Sequence, residues 1–330
     1  MLGMNETRNI LIVGNGPMAQ EYAKVFRDGL KYTFDVAGRN RENVQKFAKA
    51  ERAGQAFLIE ELSPQILAKY DFAVSTTSPD SLEYVTEKLI KNGIKAILVE
   101  KPAALSPAGS ASLARMMKEK FVFARVAYNR RYYRSVQKLK HILREETPMC
   151  AHFDFTELSR QIKVGRTQAT TERWAIANSC HIIDTVTFLL GQFQIEHLHV
   201  SGQNELDWHP ASSNFVGSGK CGTTPVSYST SWLCPGRWSI EIMTKQGRYK
   251  LSPIERLQVM RHDSFEWKEV DAGYDIDIQY KPGLMEVVRS FDQARLKNDP
   301  TGGSEVCELP DLSQNAKIAE LVSKIVGYPV

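Results

Sequence analysis

Between residues 9 and 125 the chain repeats one pattern of polarity: a short apolar run, a turn, then a stretch whose apolar positions recur every three or four residues. The runs at 9–13, 33–37, 72–76 and 95–99 are rich in Val, Ile and Phe and too short for buried helices, so they predict strands. The stretches at 17–29, 41–51, 79–92 and 107–119 predict helices. The third is punctuated at both ends, with Ser78 as N-cap, Pro79 in the first turn, Lys91 in the last and Gly93 just beyond. Strand and helix alternating at this spacing predict a parallel sheet with helices on both faces, because parallel neighbours need a crossover long enough to hold a helix.

After Phe121-Val122-Phe123 the pattern changes. A basic helical stretch at 132–145 leads into strand-like segments at 149–156, 194–200, 226–232, 237–243, 256–261 and 265–270. In 237–243, Trp238, Ile240 and Ile242 face one way and Ser239 and Glu241 the other, as in a sheet with one covered face. Helical patterns at 171–190, 284–297 and 313–326 are the candidates to cover it. The chain therefore reads as α/β: an N-terminal doubly wound parallel sheet in residues 1–126, then an α+β domain in 127–330 with a large, mostly antiparallel open sheet. So many strands with so few helices leave a face bare, which predicts its burial between copies in a homodimer or homotetramer. There is no internal repeat and no low-complexity tract.

Composition narrows the function classes. A length of 330 residues exceeds one comfortable core, in keeping with two domains. The net charge of +4 comes with no basic run, so no nucleic-acid partner is expected. No apolar stretch approaches membrane-spanning length, and Ile10-Leu11-Ile12-Val13 is too short for the apolar part of a signal peptide. The five cysteines are scattered without a Cys-x-x-Cys pair, which points to reduced thiols in a cytoplasmic chain and to no metal site. Cys180, next to His181, leaves thiol chemistry as an alternative.

The candidate chemistry lies in three segments. Gly14-x-Gly16-x-x-Ala19 ends the first predicted strand and opens the first helix. Glycines there permit a tight turn and close approach of the backbone to a pyrophosphate, while the helix start offers oriented N–H groups, so Gly14, Gly16, Pro17, Met18 and Ala19 read as a dinucleotide site. The second strand ends in Gly38-Arg39-Asn40-Arg41, with no carboxylate for a ribose 2′-hydroxyl, and Asp35 lies earlier, inside the strand. Arg39 and Asn40 therefore favour NADP over NAD. Ser75, Thr76 and Thr77 follow one strand and Glu100 and Lys101 another, at the sheet edge where ligands bind in open parallel sheets. Lys101 beside a cationic nicotinamide would have a lowered pKa and could hydrogen-bond a substrate oxygen. In the stretch 171–190, Ala177, Asn178, His181, Asp184 and Thr185 share one helical face by their spacing.

These segments, together with Tyr128-Asn129-Arg130-Arg131-Tyr132, resemble the Gfo/Idh/MocA oxidoreductases over nearly the whole chain. The resemblance implies a Rossmann domain, a second domain with a large open sheet, a pyridine nucleotide, and a sugar, cyclitol or nucleotide-sugar substrate. It places the family lysine at Lys101 and the family histidine at His181. Members often carry an aspartate four residues before that histidine, where this chain has Ala177. A methyl group cannot take a proton, so the acid/base work falls on His181, Lys101 or both. Tyr128, Arg130, Arg173, Trp174, Asn178 and Asp184 are the candidate substrate contacts, Asp184 more as a support than as a reactive group. Arg130, Arg131, Lys163, Arg166 and Arg173 hint at an anionic substrate. The expected activity is hydride transfer between a nicotinamide and a secondary alcohol or its carbonyl. Reduction of a non-sugar carbonyl or imine, and a non-catalytic NAD(P)-binding sensor of the same fold, stay open as alternatives.

Overall fold

The computed structural model describes residues 7–297 and 307–329. They divide into two compact units, 7–128 with 284–297 and 307–316, and 129–283 with 317–329.

The first unit holds six parallel strands, β1 (Asn9–Val13), β2 (Thr33–Gly38), β3 (Ala56–Leu58), β4 (Phe72–Ser75), β5 (Ala96–Glu100) and β6 (Phe123–Ala127), in the order β3-β2-β1-β4-β5-β6. The order reverses between β1 and β4, which opens a crevice at their carboxyl ends. Helices α1 (Pro17–Lys24), α2 (Arg41–Glu51), α3 (Pro64–Leu67), α4 (Pro79–Lys91) and α5 (Pro107–Glu119) connect the strands. The central strands are apolar throughout because both their faces are covered: Ile10, Leu11, Ile12 and Val13 are all fully buried. Each such side chain contributes about 1.5–3 kcal/mol of burial. The expected helix at 17–29 is α1 followed by a wider π turn, Val25–Leu30.

The second unit carries an eight-stranded sheet. Helix α6 (Arg134–Glu145) leads into β7 (Pro148–Asp154), and the short α7 (Gln168–Glu172) precedes α8 (Cys180–Leu190). Strands β8 (Phe193–Ser201), β9 (Asn214–Cys221), β10 (Thr224–Ser231), β11 (Ser239–Thr244), β12 (Arg248–Leu251), β13 (Leu257–Met260) and β14 (Lys268–Glu269) follow, and then helix α9 (Asp275–Gln279). The order is β14-β13-β12-β11-β7-β10-β9-β8, with every pair antiparallel except β7 and β10. Burial alternates along β10 and β11, as a half-covered sheet requires. Helix α8 packs on β7, β8 and β11. Beneath it Phe153, Phe155, Phe193, Phe215, Tyr228 and Trp232 form an aromatic core. On the sheet's other residues Leu198 and Val216 are about half exposed, at 48% and 49%.

Two helices end the chain, α10 (Leu284–Leu296) and α11 (Leu312–Val326). Residues 284–297 and 307–316 belong with the first unit. Phe291 of α10 meets Phe72 at 5.1 Å and Phe123 at 5.4 Å, while Asp292 accepts from Arg8 Nε at 3.3 Å and from the Tyr32 hydroxyl at 3.0 Å. Among the described residues no helix is long and apolar enough to cross a membrane.

Candidate active site

In the first unit the glycine turn is built from backbone. Gly14 sits at φ +127°, and a Cβ there would lie 2.4 Å from Thr76 Oγ1 and 2.9 Å from the Thr76 carbonyl. Only glycine fits, so the chain can bend tightly where Gly14 N–H donates to the Ala37 carbonyl at 2.8 Å. At Gly16 a Cβ would meet nothing within 4 Å. That open side faces the start of α1, where Gly16 is the N-cap, no side chain caps the helix, and Pro17 takes the first position. Met18 and Ala19 thus present N–H groups at an uncapped helix start, suited to a pyrophosphate. Along the adjacent strand end, Ser75 Oγ and Thr77 Oγ1 are buried without a hydrogen-bond partner among the described residues, whereas Thr76 Oγ1 donates to the Val13 carbonyl at 3.1 Å. Buried hydroxyls left unsatisfied cost free energy, and a ligand rich in polar groups relieves it. The residues present fit a dinucleotide.

At the ribose end, Arg39 and Asn40 are exposed just past β2. Asn40 caps α2, its Oδ1 accepting from Asn43 N–H at 2.9 Å. Asp35 is occupied elsewhere, accepting from Gln55 N–H and the Tyr70 hydroxyl, each at 2.6 Å. Arg41 pairs with Glu61. Arg39 makes no side-chain hydrogen bond or ion pair among the described residues.

The turn after β5 is held from several sides. Glu100 is buried and accepts from the Tyr22 hydroxyl at 2.8 Å; burial and that carboxylate both push the Tyr22 phenol well up. The Lys101-Pro102 peptide is cis. Asn315 Nδ2 donates to the Pro102 carbonyl at 2.8 Å and to Ser110 Oγ at 3.0 Å, and its Oδ1 accepts from the Tyr128 hydroxyl at 3.0 Å. Tyr128, a candidate substrate contact by sequence, is 1% exposed and serves as a support for the Lys101 turn. Tyr22 and Asn315 escaped the sequence reading because each is an ordinary helix residue whose partner lies far along the chain.

In the second unit the expected helix at 171–190 is interrupted. Between α7 and α8 the chain makes a π turn, Ala175–Ser179, which adds a residue to the helical register. Simple spacing to His181 therefore no longer decides which side chains share a face. A carboxylate the sequence did not single out holds the end of this turn. Glu157, 9% exposed, accepts from Asn178 Nδ2 at 3.2 Å on both oxygens and from Ser179 Oγ at 2.6 Å. On the other side Ala175 N–H donates to the Tyr328 hydroxyl at 3.3 Å, and that hydroxyl lies 2.6 Å from His209 Nε2. His209 is fully buried, and loss of hydration lowers it to about 4. Asn178 is thus committed to Glu157, and Ala177 is buried.

His181 opens α8, is 2% exposed, and lies 6.3 Å from the Trp238 ring, which carries the Arg130 guanidinium at 4.7 Å. One turn further, Asp184 is fully buried and forms a fork with Arg131, Nε to Oδ2 at 2.9 Å and Nη2 to Oδ1 at 2.5 Å. Burial pushes the Asp184 carboxyl up while Arg131 pulls it back. Asp184 fixes α8 to the turn Asn129–Tyr132. Trp174 is buried under Arg166, 4.8 Å from its ring, and the indole Nε1 has no partner among the described residues. Arg173 lies 4.8 Å over Tyr328. Cys180 is buried with its thiol toward the Asn178 carbonyl at 3.8 Å.

Comparison with known proteins agrees with this geometry. Residues 8–128 match the Gfo/Idh/MocA family model, described as an oxidoreductase family with an NAD-binding Rossmann fold. No curated protein sequence matches the chain closely. Among solved structures, a dehydrogenase (MviM) from Clostridium difficile superposes with a TM-score of 0.77 at 17% identity, covering 97% of this chain and 99% of that one. Levoglucosan dehydrogenase in complex with NADH gives 0.75 at 16% identity, covering 97% and 96%. UDP-N-acetylglucosamine 3-dehydrogenase GnnA from Acidithiobacillus ferrooxidans gives 0.72 at 16% identity, covering 97% of each chain. At such identities the structural likeness speaks for the fold. With the glycine turn and the uncapped helix start inside the matched residues, 8–128 form an NAD-binding Rossmann domain of the Gfo/Idh/MocA oxidoreductase type.

Proposed function

We propose that the protein is an NADP-preferring dehydrogenase or reductase acting on a secondary alcohol, or its carbonyl, in a sugar, cyclitol or nucleotide sugar. The observation that carries this reading is the nucleotide edge of the first unit: an uncapped helix start, an open Gly16 and two unsatisfied hydroxyls, Ser75 and Thr77, beside the turn that bears Lys101. Gly14 to Ala19 would hold the pyrophosphate, Arg39 and Asn40 the adenosine ribose, and Ser75 to Thr77 with Glu100 and Lys101 the nicotinamide half. A bound nicotinamide supplies hydride acceptance or donation at its C4. His181 takes the hydroxyl proton on an imidazole nitrogen in oxidation and returns it in reduction, as a general acid/base does. Lys101, on the nucleotide edge, can donate to a substrate oxygen and stabilise negative charge on it. Levoglucosan dehydrogenase and the UDP-N-acetylglucosamine 3-dehydrogenase, which share the fold, support a carbohydrate substrate.

The cofactor preference rests on Arg39, which has no acid beside it, and on Asp35, which is committed inside the sheet. Calorimetric titration should show NADP(H) binding about ten- to a hundredfold tighter than NAD(H), the scale of a hydrogen-bonded charge, with Arg39→Ala removing most of the difference. Equal affinities would overturn the preference. The half-exposed Val216, on the face of β9 opposite the buried Phe215, supports a homodimer or homotetramer through the bare sheet face; light scattering that gives a monomer at micromolar concentration overturns it. Ala177, in place of the family aspartate, favours one rival, an NAD(P)-binding regulator. Cofactor binding without turnover on any alcohol or carbonyl would select that rival.

A further inference from the structure

Five cations of the second unit were candidates for an anionic substrate, and their surroundings separate them. Arg131 is neutralised by Asp184, Lys163 pairs with Asp207, and Arg166 Nη1 donates to the carbonyls of Gln161, Ile162 and Val164 at 3.2, 2.8 and 3.3 Å. Arg130 and Arg173 have no side-chain hydrogen bond or ion pair among the described residues. Arg173 rests on Tyr328, away from His181's aromatic neighbour. Arg130 shares that neighbour: its guanidinium carbon is 4.7 Å from the centroid of Trp238 and 5.8 Å from that of Tyr133, and the same indole lies 6.3 Å from the His181 ring.

A comparison inside the same unit shows what is missing around Arg130. Arg256 lies over Tyr274 at the identical 4.7 Å, but its Nη1 reaches Glu269 at 2.8 Å. Arg130 has the aromatic platform and no acid. Glu255 and Asp277 act on the buried Tyr133 phenol, yet neither forms an ion pair with Arg130. Asp277 instead accepts from Arg134 N–H at 2.8 Å and Gly283 N–H at 3.0 Å. The half-buried guanidinium is thus held between rings that restrict its motion, with its N–H fork uncommitted beside the imidazole.

We infer that Arg130 is the anion-recognising residue of the substrate site, and that the substrate carries a carboxylate, as in a uronic or aldonic acid. The inference rests on the dehydrogenase reading and deepens it by naming the substrate class. One planar guanidinium matches one carboxylate through two parallel hydrogen bonds. A phosphate group calls for several donors or a helix start, and Arg130 stands with aromatic rings instead. Trp238 holds the guanidinium and gives the carbon skeleton of a sugar an apolar wall.

The test uses the full-length protein with NADP+ present and calorimetric titration of three matched sets: uronic and aldonic acids, the corresponding neutral sugars, and sugar phosphates. At least one acid should bind ten times or more tighter than its neutral counterpart. Arg130→Gln should abolish that preference, Arg256→Gln should preserve it, and thermal unfolding should show both variants folded. Acids and neutral sugars binding alike, no acid binding, a preference that survives in Arg130→Gln, or phosphates outbinding acids would each overturn the assignment. His181→Ala separates the two readings. Acid binding retained with turnover lost in that variant supports both. Turnover of neutral sugars without acid binding sinks only the carboxylate site. Acid binding by the unmodified protein with no turnover of any compound upholds the anion site and sinks the dehydrogenase.

Discussion

At the carboxyl ends of β1, β4 and β5, the nucleotide region is made by backbone: a glycine at φ +127°, an uncapped helix start, and strand ends set side by side by the sheet. Around His181 the region is made by side chains drawn from four separate stretches, Arg130 and Arg131, Glu157, Asn178 to Asp184, and Trp238. Backbone sites leave a short contiguous motif because the geometry lies in consecutive residues. Side-chain sites leave scattered single letters. The contrast predicts that the first region fails when a Cβ is added and the second when a charge or ring loses its partner.

The largest effects should fall on chemistry. Lys101→Ala and His181→Ala should each lower turnover by about 10²–10⁴-fold, the scale of a lost general acid or base, with His181→Ala changing cofactor affinity far less. Near-native turnover in His181→Ala, with Asn178→Ala inactive, would move the acid/base role off His181.

Next is the buried fork. Asp184→Asn leaves Arg131 without its counter-charge and should cost about 3–5 kcal/mol of unfolding free energy in urea, with a smaller loss of turnover per folded molecule. An unchanged denaturation midpoint would show that the fork does not secure α8.

His209 gives a pH signature. Its folded pKa of about 4 lies below the ordinary 6.5 of the unfolded chain, so the stability it contributes is complete above pH 6.5 and is lost as pH falls toward 4. The span should amount to about 3 kcal/mol, read as a drop in unfolding free energy across that window. His209→Gln should flatten the profile, and a variant with the slope of the parent would assign it elsewhere.

The smallest effect bears most directly on the backbone site. Gly14→Ala forces a methyl against Thr76 at a conformation L residues avoid, and should cost about 1–3 kcal/mol of stability. Gly16→Ala meets no protein atom, so stability should hold while cofactor affinity falls. Equal thermal midpoints for the two variants would contradict the geometry.

The parallel sheet was legible because its strands are continuous apolar runs and its helices carry end signals such as Ser78 and Pro79. β3, β6, β9 and β12 were not, β6 because Arg125 interrupts its apolar run. Ala56–Leu58 is too short to show a period, and Arg248–Leu251 has only Tyr249 and Leu251 to mark its face. In Asn214–Cys221, Gly217 and Gly219 replace the side chains that would show alternation, because Tyr228 and the Gln194 carbonyl fill those places. The strand expected at 265–270 shrank to Lys268–Glu269, since Phe265 is 97% exposed. Among the candidate site residues, Lys101 and His181 stood out in the sequence through their motifs. Glu157 did not, because nothing near it in sequence announces that Asn178 and Ser179 will turn toward it.

The packing of Phe291 and Asn315 in the first unit limits how this protein can be made. The nucleotide unit is not a cassette: a fragment ending near Tyr128 would lack Phe291, which covers Phe72 and Phe123, and Asn315, which steadies the Pro102 carbonyl. Removing one buried phenylalanine typically costs about 3–5 kcal/mol, so such a fragment would begin with an open wound in its core. During synthesis the same holds in time. The first unit stays incomplete until Asn315 has left the ribosome, and its apolar face is open until then.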